Sequence, residues 1–248
     1  MDVTVLASGS SGNAYIVGDG TTSLLLDAGI PLRRIAEGCG FAMHELGACL
    51  LTHEHKDHSA SAQKLAMRSV DVYASPGTIR ACGLSGHRIH PVRAFDAFDV
   101  GSFRILPFDV VHDAAEPLGF FCTSVKTKER LLYVTDTRYI RYRFDGLTHI
   151  LIECNHDVEG VRESVKQGAL HLELGKRIIR NHLSLERLVE ILRVNDTSRL
   201  RQIYLLHMSD DNADAEKMIH EVRCATGAEV YVGERNKPQC FRTSSPAP

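Results

Sequence analysis

The chain has 248 residues, of which 44% are hydrophobic and 24% are charged, and its formal net charge is −2. This composition is typical of a globular protein that can bury a sizeable core without disulfides. The near-neutral charge excludes a basic field over the whole molecule, so any basic surface that binds nucleic acid must be local.

The first part of the chain is predicted to consist mainly of β-strands. Short apolar runs alternate with turn-forming clusters such as Ser8-Gly9-Ser10-Ser11-Gly12-Asn13 and Gly18-Asp19-Gly20. Helical patterns interrupt these runs at 31–37, 59–68 and 76–80. The predicted strands of this part are 3–7, 14–17, 23–26, 48–52, 70–74, 103–108, 119–125 and 130–135.

The remainder is predicted to be richer in helix. Residues 185–194 carry an amphipathic pattern with Ser184 as a candidate N-cap, and 213–225 form a second predicted helix. The polar, proline-containing segment 235–248 is expected to be a tail without regular structure. Further strands are predicted at 149–153, 203–206 and 229–232.

The order of these elements predicts two β-sheets packed together with helices outside. We expect one domain over residues 1–234, because no stretch has the composition of a linker. The N-terminus has no basic region followed by an apolar run, and no apolar stretch approaches the ~20 residues of a membrane span. The seven dispersed cysteines indicate reduced thiols, so we expect a cytoplasmic protein without a membrane partner.

Four side chains that can bind metals follow the apolar run 48–52, within six residues of one another. His53 and His55 can reach one ion together, because residues two apart in an extended segment point the same way. Asp57 and His58 follow where the chain turns into a helix, and they can point at a second ion. Imidazole and carboxylate suit zinc, and also manganese or iron. The alternative, a polar loop with surface histidines, is disfavoured because crowded imidazoles are costly without a partner.

Three further polar residues each end an apolar run, where sheet scaffolds place functional groups. They are His112 after Phe108-Asp109-Val110-Val111, Asp136 after 131–135, and His207 after 203–206. Each alone could be a satisfied histidine or a turn-forming aspartate. Together with the first motif they supply five histidines and two aspartates, which is enough for two ions.

The ordered motifs resemble those of the metallo-β-lactamase superfamily. That family has Asp, His-x-His-x-Asp-His, His, Asp and His motifs, and this chain has Asp27, 53–58, His112, Asp136 and His207 in that order. The resemblance spans residues 3 to about 232. It implies an α+β fold, an αββα sandwich of two mixed β-sheets flanked by helices.

The resemblance also implies two divalent metal ions per chain, with Zn²⁺ expected first and Mn²⁺ or Fe²⁺ as alternatives. Asp27 would support the histidines, as metal ligands usually require. The implied ligands are His53, His55 and His112 for one ion, Asp57, His58 and His207 for the other, and Asp136 between them.

A second set of motifs resembles the YycJ (WalJ) group of bacterial and phage DNA exonucleases. This group is related in fold to nucleases that process the 3′ ends of tRNA and mRNA. The matching segments are 6–13, Leu25-Leu26-Asp27-Ala28-Gly29, Thr52-His53-Glu54-His55, Glu153-Cys154-Asn155-His156-Asp157 and His182-Leu183-Ser184. The resemblance implies that His182 assists at the scissile phosphate and that Glu153 is its acidic partner.

The sequence departs from that group at a few positions, which bear on the substrate more than on the metal site. Asn181 and Leu185 flank His182-Leu183-Ser184 where the group commonly has Gly and Asn. After His207 the chain keeps Ser209 and Asn212, but Ala213 replaces a second Asn.

The expected reaction is phosphodiester hydrolysis. Two ions ~3.5–4 Å apart can share a hydroxide nucleophile and clamp the oxygens of the displacement. We expect Asp57 to orient the nucleophile, and His182, held by Glu153, to donate a proton to the leaving oxygen. The alternatives are a structural histidine at a helix start for His182 and a solvated carboxylate for Glu153. The backbone of 8–13 could bind a phosphate, although an ordinary tight turn is preferred.

The predicted function is therefore a metal-dependent phosphodiesterase, with a 5′-to-3′ exonuclease on single- or double-stranded DNA as the leading candidate and RNA as a less favoured substrate. One alternative is a small-molecule hydrolase of the same fold that acts on a thioester, lactone or cyclic phosphodiester. Another is a metal-binding sensor or inactive subunit, which the intact ligand set disfavours.

Overall fold

The computed structural model describes residues 1–209, 213–233 and 239–241. Elements are numbered here in chain order. The strands are β1 Asp2–Ala7, β2 Ala14–Gly18, β3 Ser23–Leu26, β4 Leu46–Leu50, β5 Val72–Ala74, β6 Ile89–Pro91, β7 Phe98–Val100, β8 Phe103–Asp109, β9 Leu118–Ser124, β10 Arg130–Val134, β11 His149–Glu153, β12 Gln202–Leu206, β13 Glu229–Val232 and β14 Gln239–Phe241. The α-helices are α1 Leu32–Gly38, α2 Lys56–Ser59, α3 Ala62–Ala66, α4 Pro76–Cys82, α5 Val158–Lys166, α6 Leu172–Asn181, α7 Leu185–Val194 and α8 Ala215–Thr226.

These elements form two compact units. Unit 1 comprises Met1–Phe108 and Ala114–Glu129 together with β14, and unit 2 comprises Asp109–Asp113 and Arg130–Gly233. The single domain over residues 1–234 stays a prediction.

Unit 1 contains a mixed sheet with the strand order β14-β1-β2-β3-β4-β5-β6. The pairs from β14 to β3 are antiparallel, and those from β3 to β6 are parallel. Leu25, Cys49 and Val72 from this sheet pack with Ile35 of α1 and Leu65 of α3 in one buried cluster. The core therefore fixes β3 and β4, whose ends carry Asp27 and the motif 53–58.

The predicted helix 59–68 is wrong in its extent, because the structure divides this region into α2 and α3. Ser61 separates the two helices by donating its backbone amide to the Ala28 carbonyl at 2.9 Å and its hydroxyl to the Ile30 carbonyl at 2.7 Å. The Asp57 carbonyl, which would accept from Ser61 in a continuous helix, accepts instead from the Asn13 amide at 2.7 Å. Long-range contacts thus interrupt a locally helical sequence.

Unit 2 contains parallel strands in the order β13-β12-β11-β10. Helices α5, α6 and α7 lie between β11 and β12 in the chain, and α8 lies between β12 and β13. The predicted helix 185–194 is confirmed, and the Ser184 hydroxyl accepts from the Arg187 amide as its N-cap. Because parallel strands present their carboxyl ends at one edge, Asp136, Glu153 and His207 all lie at the same edge of this sheet.

Strand β14 departs from the sequence expectation of a tail over 235–248. Gln239–Phe241 pair antiparallel with β1 in the register Val3 to Phe241. Strand β1 would otherwise present unpaired backbone groups at a sheet edge, and β14 pairs with them. Residues 235–238 and 242–248 lie outside the described residues.

All seven cysteines have free thiols. Burial raises the pKa of the Cys122 thiol to about 12, and it also raises the pKa of Cys49 and Cys154. These three side chains pack as small apolar groups. In the described part of the chain, no helix has both the length and the hydropathy to cross a bilayer.

Candidate metal centre

The histidines of unit 1 converge just beyond β4. His53 Nε2 lies 3.1 Å from His55 Nδ1, and the His53 and His58 ring centroids are 4.3 Å apart. Asp57 Oδ2 lies 3.5 Å from His58 Nε2. We call His53, His55, Asp57 and His58 the unit 1 cluster.

Asp27 holds the unit 1 cluster from within the protein. Its fully buried carboxylate accepts from the Thr52 amide at 2.8 Å, from the Thr52 hydroxyl at 2.9 Å and from His58 Nδ1 at 2.7 Å. The Thr52 hydroxyl also lies 3.0 Å from His53 Nδ1. Asp27 therefore orients His58 directly and His53 through Thr52.

This network assigns the tautomers of two histidines. Thr52 donates its single hydroxyl proton to Asp27, so its oxygen accepts from Nδ1–H of His53. His58 donates Nδ1–H to Asp27, and its Nε2 lies 3.0 Å from the side-chain nitrogen Nδ2 of Asn13, which can only donate. Both rings consequently present Nε2 as an acceptor, which is the state that a metal ligand needs.

Asn13 is a residue whose role the sequence analysis did not assign. Its buried side chain donates to the Gly9 carbonyl at 3.0 Å and the Asp57 carbonyl at 3.2 Å, and its Oδ1 accepts from the Gly9 amide at 2.9 Å. Turn 8–13 therefore holds the loop that carries Asp57. The signal in the sequence was an amide side chain at the end of a glycine- and serine-rich turn.

Gly29 fits beneath the same loop because it lacks a Cβ. A Cβ at this position would lie 1.6 Å from the Asp57 carbonyl oxygen. The neighbouring Ala28 amide donates to the His58 carbonyl at 2.7 Å. The segment Asp27-Ala28-Gly29 thus packs its backbone directly against that of Asp57 and His58.

A second group of candidate ligands lies at the strand ends of unit 2. Asp136, Glu153, His182 and His207 offer ligand atoms that all lie within 4.8 Å of one another. His112 Nε2 lies 3.7 Å from Asp136 Oδ2, and the His112 and His182 ring centroids are 6.0 Å apart. We call these five residues the unit 2 cluster. It contains every predicted site residue that lies in unit 2.

Glu153 and His182 form a close pair. Glu153 Oε1 lies 2.6 Å from His182 Nδ1, and Oε2 accepts from the amides of Thr137 and Leu183, both at 3.0 Å. Glu153 is fully buried, so it is not the solvated carboxylate considered as an alternative. The pair sits against His207, whose Nδ1 is 3.5 Å from Glu153 Oε1.

The electrostatics of this pair favour a charged imidazole. Burial alone would raise the pKa of Glu153, but the charge and hydrogen bond of His182, with a hydrogen bond from His207, lower it to about 2. Burial alone would likewise lower the pKa of His182, but the Glu153 carboxylate outweighs burial and raises it. His182 is therefore suited to carry a proton.

Three site residues adopt left-handed backbone conformations at strand ends. The φ angles are 57° at Asp27, 45° at Asp136 and 51° at His207. Such conformations cost roughly 1–3 kcal/mol each at non-glycine residues and are typical of functional sites. They turn the chain sharply where the side chains of the site project.

Asn155 is a second residue without an assigned role in the sequence analysis. Its side-chain nitrogen donates to the His207 backbone carbonyl at 2.8 Å, and its backbone carbonyl accepts from the Ser209 amide at 2.8 Å. Asn155 thus fixes the backbone turn that carries His207. Asn212 lies outside the described residues.

Comparison with known proteins identifies relatives over most of the chain. The model of the family described as "Beta-lactamase superfamily domain" matches residues 22–208. The chain is 32% identical over 226 residues to Exodeoxyribonuclease WalJ of Streptococcus pneumoniae, covering 84% of this chain and 82% of that protein. It is 31% identical over 224 residues to Exodeoxyribonuclease YycJ of Bacillus anthracis, with coverages of 84% and 83%.

Solved structures share the fold. The metallo-β-lactamase fold protein YhfI from Bacillus subtilis superposes with a TM-score of 0.70 at 15% identity, covering 96% of this chain and 98% of that one. Human tRNase Z, short form, gives a TM-score of 0.62 at 15% identity, with the same coverages. The predicted α+β fold of two mixed sheets flanked by helices is confirmed. Together with the two clusters, this similarity supports binding of divalent metal ions.

Replacing Asp27 by Asn tests the hydrogen-bond network of unit 1. The variant loses the charge that holds Nδ1–H of His58, so we expect metal affinity to fall ~10–100-fold. Competition with a chromophoric chelator measures this change. Asp19→Asn is the matched control, because Asp19 is a buried carboxylate of unit 1 that accepts from Ser102, Ser124 and the Thr22 amide. Equal metal affinity of Asp27→Asn and Asp19→Asn would contradict the network.

Gly29→Ala is expected to displace the backbone of Asp57 and reduce the metal content of the purified protein, because the new methyl group overlaps the Asp57 carbonyl. Metal analysis by mass spectrometry measures the loss. Gly18→Ala serves as the control, since the nearest contact of its Cβ would be Ser23 Oγ at 3.3 Å. Full metal content in Gly29→Ala would show that the close approach is dispensable.

Proposed function

We propose that this chain, which belongs to the β-lactamase superfamily and within it to the group of the exodeoxyribonucleases WalJ and YycJ, is a metal-dependent hydrolase that degrades DNA from an end. The observation that carries the proposal is the buried Glu153–His182 pair beside Asp136 and His207. It provides a proton donor next to candidate metal ligands, as cleavage of an unactivated phosphodiester requires.

We infer two divalent ions per chain, with Zn²⁺ as the first candidate and Mn²⁺ or Fe²⁺ as alternatives. The Nε2 acceptor tautomers of His53 and His58 support this inference. The proposed ligands follow the motif order of the superfamily: His53, His55, Asp57, His58, His112, Asp136 and His207. When bound, such ions act as Lewis acids and lower the pKa of water.

The side chains of this protein then orient the nucleophile and protonate the leaving oxygen. Asp57 orients the attacking hydroxide towards phosphorus. As the new phosphorus–oxygen bond forms and the old one breaks, His182 donates its Nε2 proton to the leaving oxygen. Glu153 positions His182 through Nδ1 and stabilises its charge. Glu153 is thus a positioning residue, and Asp57 and His182 are catalytic residues.

The names of the curated relatives support DNA as the substrate. We propose single- or double-stranded DNA, with RNA less favoured, and 5′-to-3′ polarity. We also propose that the protein acts in the cytoplasm. A small-molecule substrate is the outcome to be considered if no nucleic acid is cleaved.

The role of His182 can be tested with two substrates of different leaving group. His182→Ala should slow cleavage of end-labelled linear DNA by ~10²–10⁴-fold, because an alkoxide leaves poorly without a proton. It should slow hydrolysis of bis(p-nitrophenyl) phosphate much less, because p-nitrophenolate leaves unprotonated. Asp57→Ala should abolish both reactions, and His87→Ala, at an exposed histidine, should alter neither. An equal loss on both substrates in His182→Ala would indicate a structural role instead.

Glu153→Gln tests the positioning role separately. The amide keeps the shape of the side chain but removes the charge that favours protonated His182, so kcat on DNA should fall while KM stays unchanged. Steady-state kinetics on labelled DNA provide the measurement. A rise in KM at constant kcat would place Glu153 in substrate binding and refute positioning of the proton donor.

A further inference from the structure

Two adjoining cavities in unit 2 form a groove whose walls are basic. The first has a volume of about 590 Å³ and the second about 420 Å³, and Val111 and Arg138 line both. The basic side chains on their walls are Arg138, Arg141, Lys176, Arg177, Arg180 and Arg187. We call this the basic groove.

The charge of the basic groove differs from that of the chain. Six basic side chains line it against three acidic ones, Asp113, Glu173 and Glu190, whereas the whole chain has a net charge of −2. Local clusters of this kind attract polyanions even on a protein that is neutral overall. The basic groove therefore provides the local basic surface that the sequence composition left open.

Several of these cations are available to a ligand. Lys176 is paired with Glu173 at 2.8 Å, and Arg141 approaches Asp109 at 3.7 Å. Arg138, Arg177 and Arg180 are exposed, and none of the three has an acidic partner within 4.0 Å in the described ranges. Guanidinium groups bind phosphate oxygens in a bidentate fashion, so these three are suited to a phosphodiester backbone.

The basic groove begins at the unit 2 cluster. His112 lines the first cavity, and its Nε2 lies 3.7 Å from Asp136 Oδ2. Asn181, the residue before His182, lines the same cavity. A strand lying in the groove would therefore lead directly to the Glu153–His182 pair.

An aromatic side chain lines the second cavity. Tyr139 is 51% exposed, and its backbone is fixed because its amide donates to the Thr137 hydroxyl at 3.3 Å and its carbonyl accepts from that hydroxyl at 2.9 Å. Arg187 further fixes this segment by donating to the Arg138 carbonyl at 3.1 Å. A basic groove with an exposed aromatic ring is typical of single-strand binding, since unpaired bases can stack on the ring.

From these observations we propose that the basic groove binds the phosphate backbone of a single DNA strand and that Tyr139 stacks on one of its bases. The proposal rests on the proposed nuclease function and deepens it by naming the form of DNA that approaches the site. The arginines position the strand, and Tyr139 discriminates against duplex, whose bases are already stacked.

The test measures binding of 5′-fluorescein-labelled oligothymidine to the full chain by fluorescence anisotropy at several salt concentrations, with EDTA present to prevent cleavage. The groove variant combines Arg138→Ala, Arg177→Ala and Arg180→Ala. The matched control combines Arg193→Ala, Arg199→Ala and Arg223→Ala, which are exposed arginines of unit 2 that do not line the cavities.

We expect the groove variant to bind at least about 10-fold more weakly than the control. Its slope of log K against log salt should flatten by about 2, since each phosphate contact contributes roughly −0.7 for single strands. Tyr139→Ala should weaken binding about 5- to 150-fold and Tyr139→Phe should not. Groove and control variants with equal affinities and slopes for oligothymidine would overturn the proposal.

Hydrolysis of bis(p-nitrophenyl) phosphate, measured with metal present, separates this proposal from the nuclease proposal. The groove variant should retain it, because that substrate is too small to occupy the groove. If the unaltered chain binds oligothymidine through the groove but cleaves no DNA, the nuclease function fails and the binding site stands. If the unaltered chain cleaves DNA and the groove variant binds oligothymidine normally, the nuclease function stands and the proposed binding site fails.

Discussion

The geometry of the unit 1 cluster depends on the buried carboxylate of Asp27. A carboxylate removed from water is costly unless donors surround it, and Asp27 receives hydrogen bonds from the Thr52 amide, the Thr52 hydroxyl and His58. Satisfying this charge orients His58, and Thr52 passes the constraint on to His53. The backbone amides of Asn13 and Ala28 then hold the loop that carries Asp57 and His58. The hydrogen bonds of the protein itself therefore orient these two histidines.

Unit 2 uses the same device with a different carboxylate. Glu153 is buried at the end of β11, receives two backbone amides and holds one imidazole at 2.6 Å. In both units a buried carboxylate lies at the end of a strand, Asp27 after β3 and Glu153 in β11. Each carboxylate orients one histidine by a hydrogen bond. The chemical outcomes differ, because the network at His58 presents an acceptor nitrogen whereas the Glu153 charge favours a protonated His182.

The sequence was informative wherever a residue's role followed from its place on a strand. Apolar runs ending in Asp136 and His207 predicted strand ends, and the close spacing from His53 to His58 predicted a cluster. The sequence was uninformative where a residue acts by a hydrogen bond to a backbone group far away in the sequence. Asn13 acts through a carbonyl 44 residues away, and Ser61 ends a helix by bonding to a carbonyl 31 residues away. The basic groove was equally hidden, because its arginines come from separate segments and cancel in the net charge.

The left-handed backbone at Asp27, Asp136 and His207 narrows which amino acids evolution or an engineer can place there. Among non-glycine residues, asparagine, aspartate and histidine enter this region most readily. Glutamate and cysteine are good metal ligands, but they carry no such tolerance, so placing either residue at Asp136 or His207 would strain the chain even if it could bind the ion. Few amino acids both tolerate a left-handed backbone and carry a side chain that can serve a metal site. Aspartate and histidine, which are already present, are two of them.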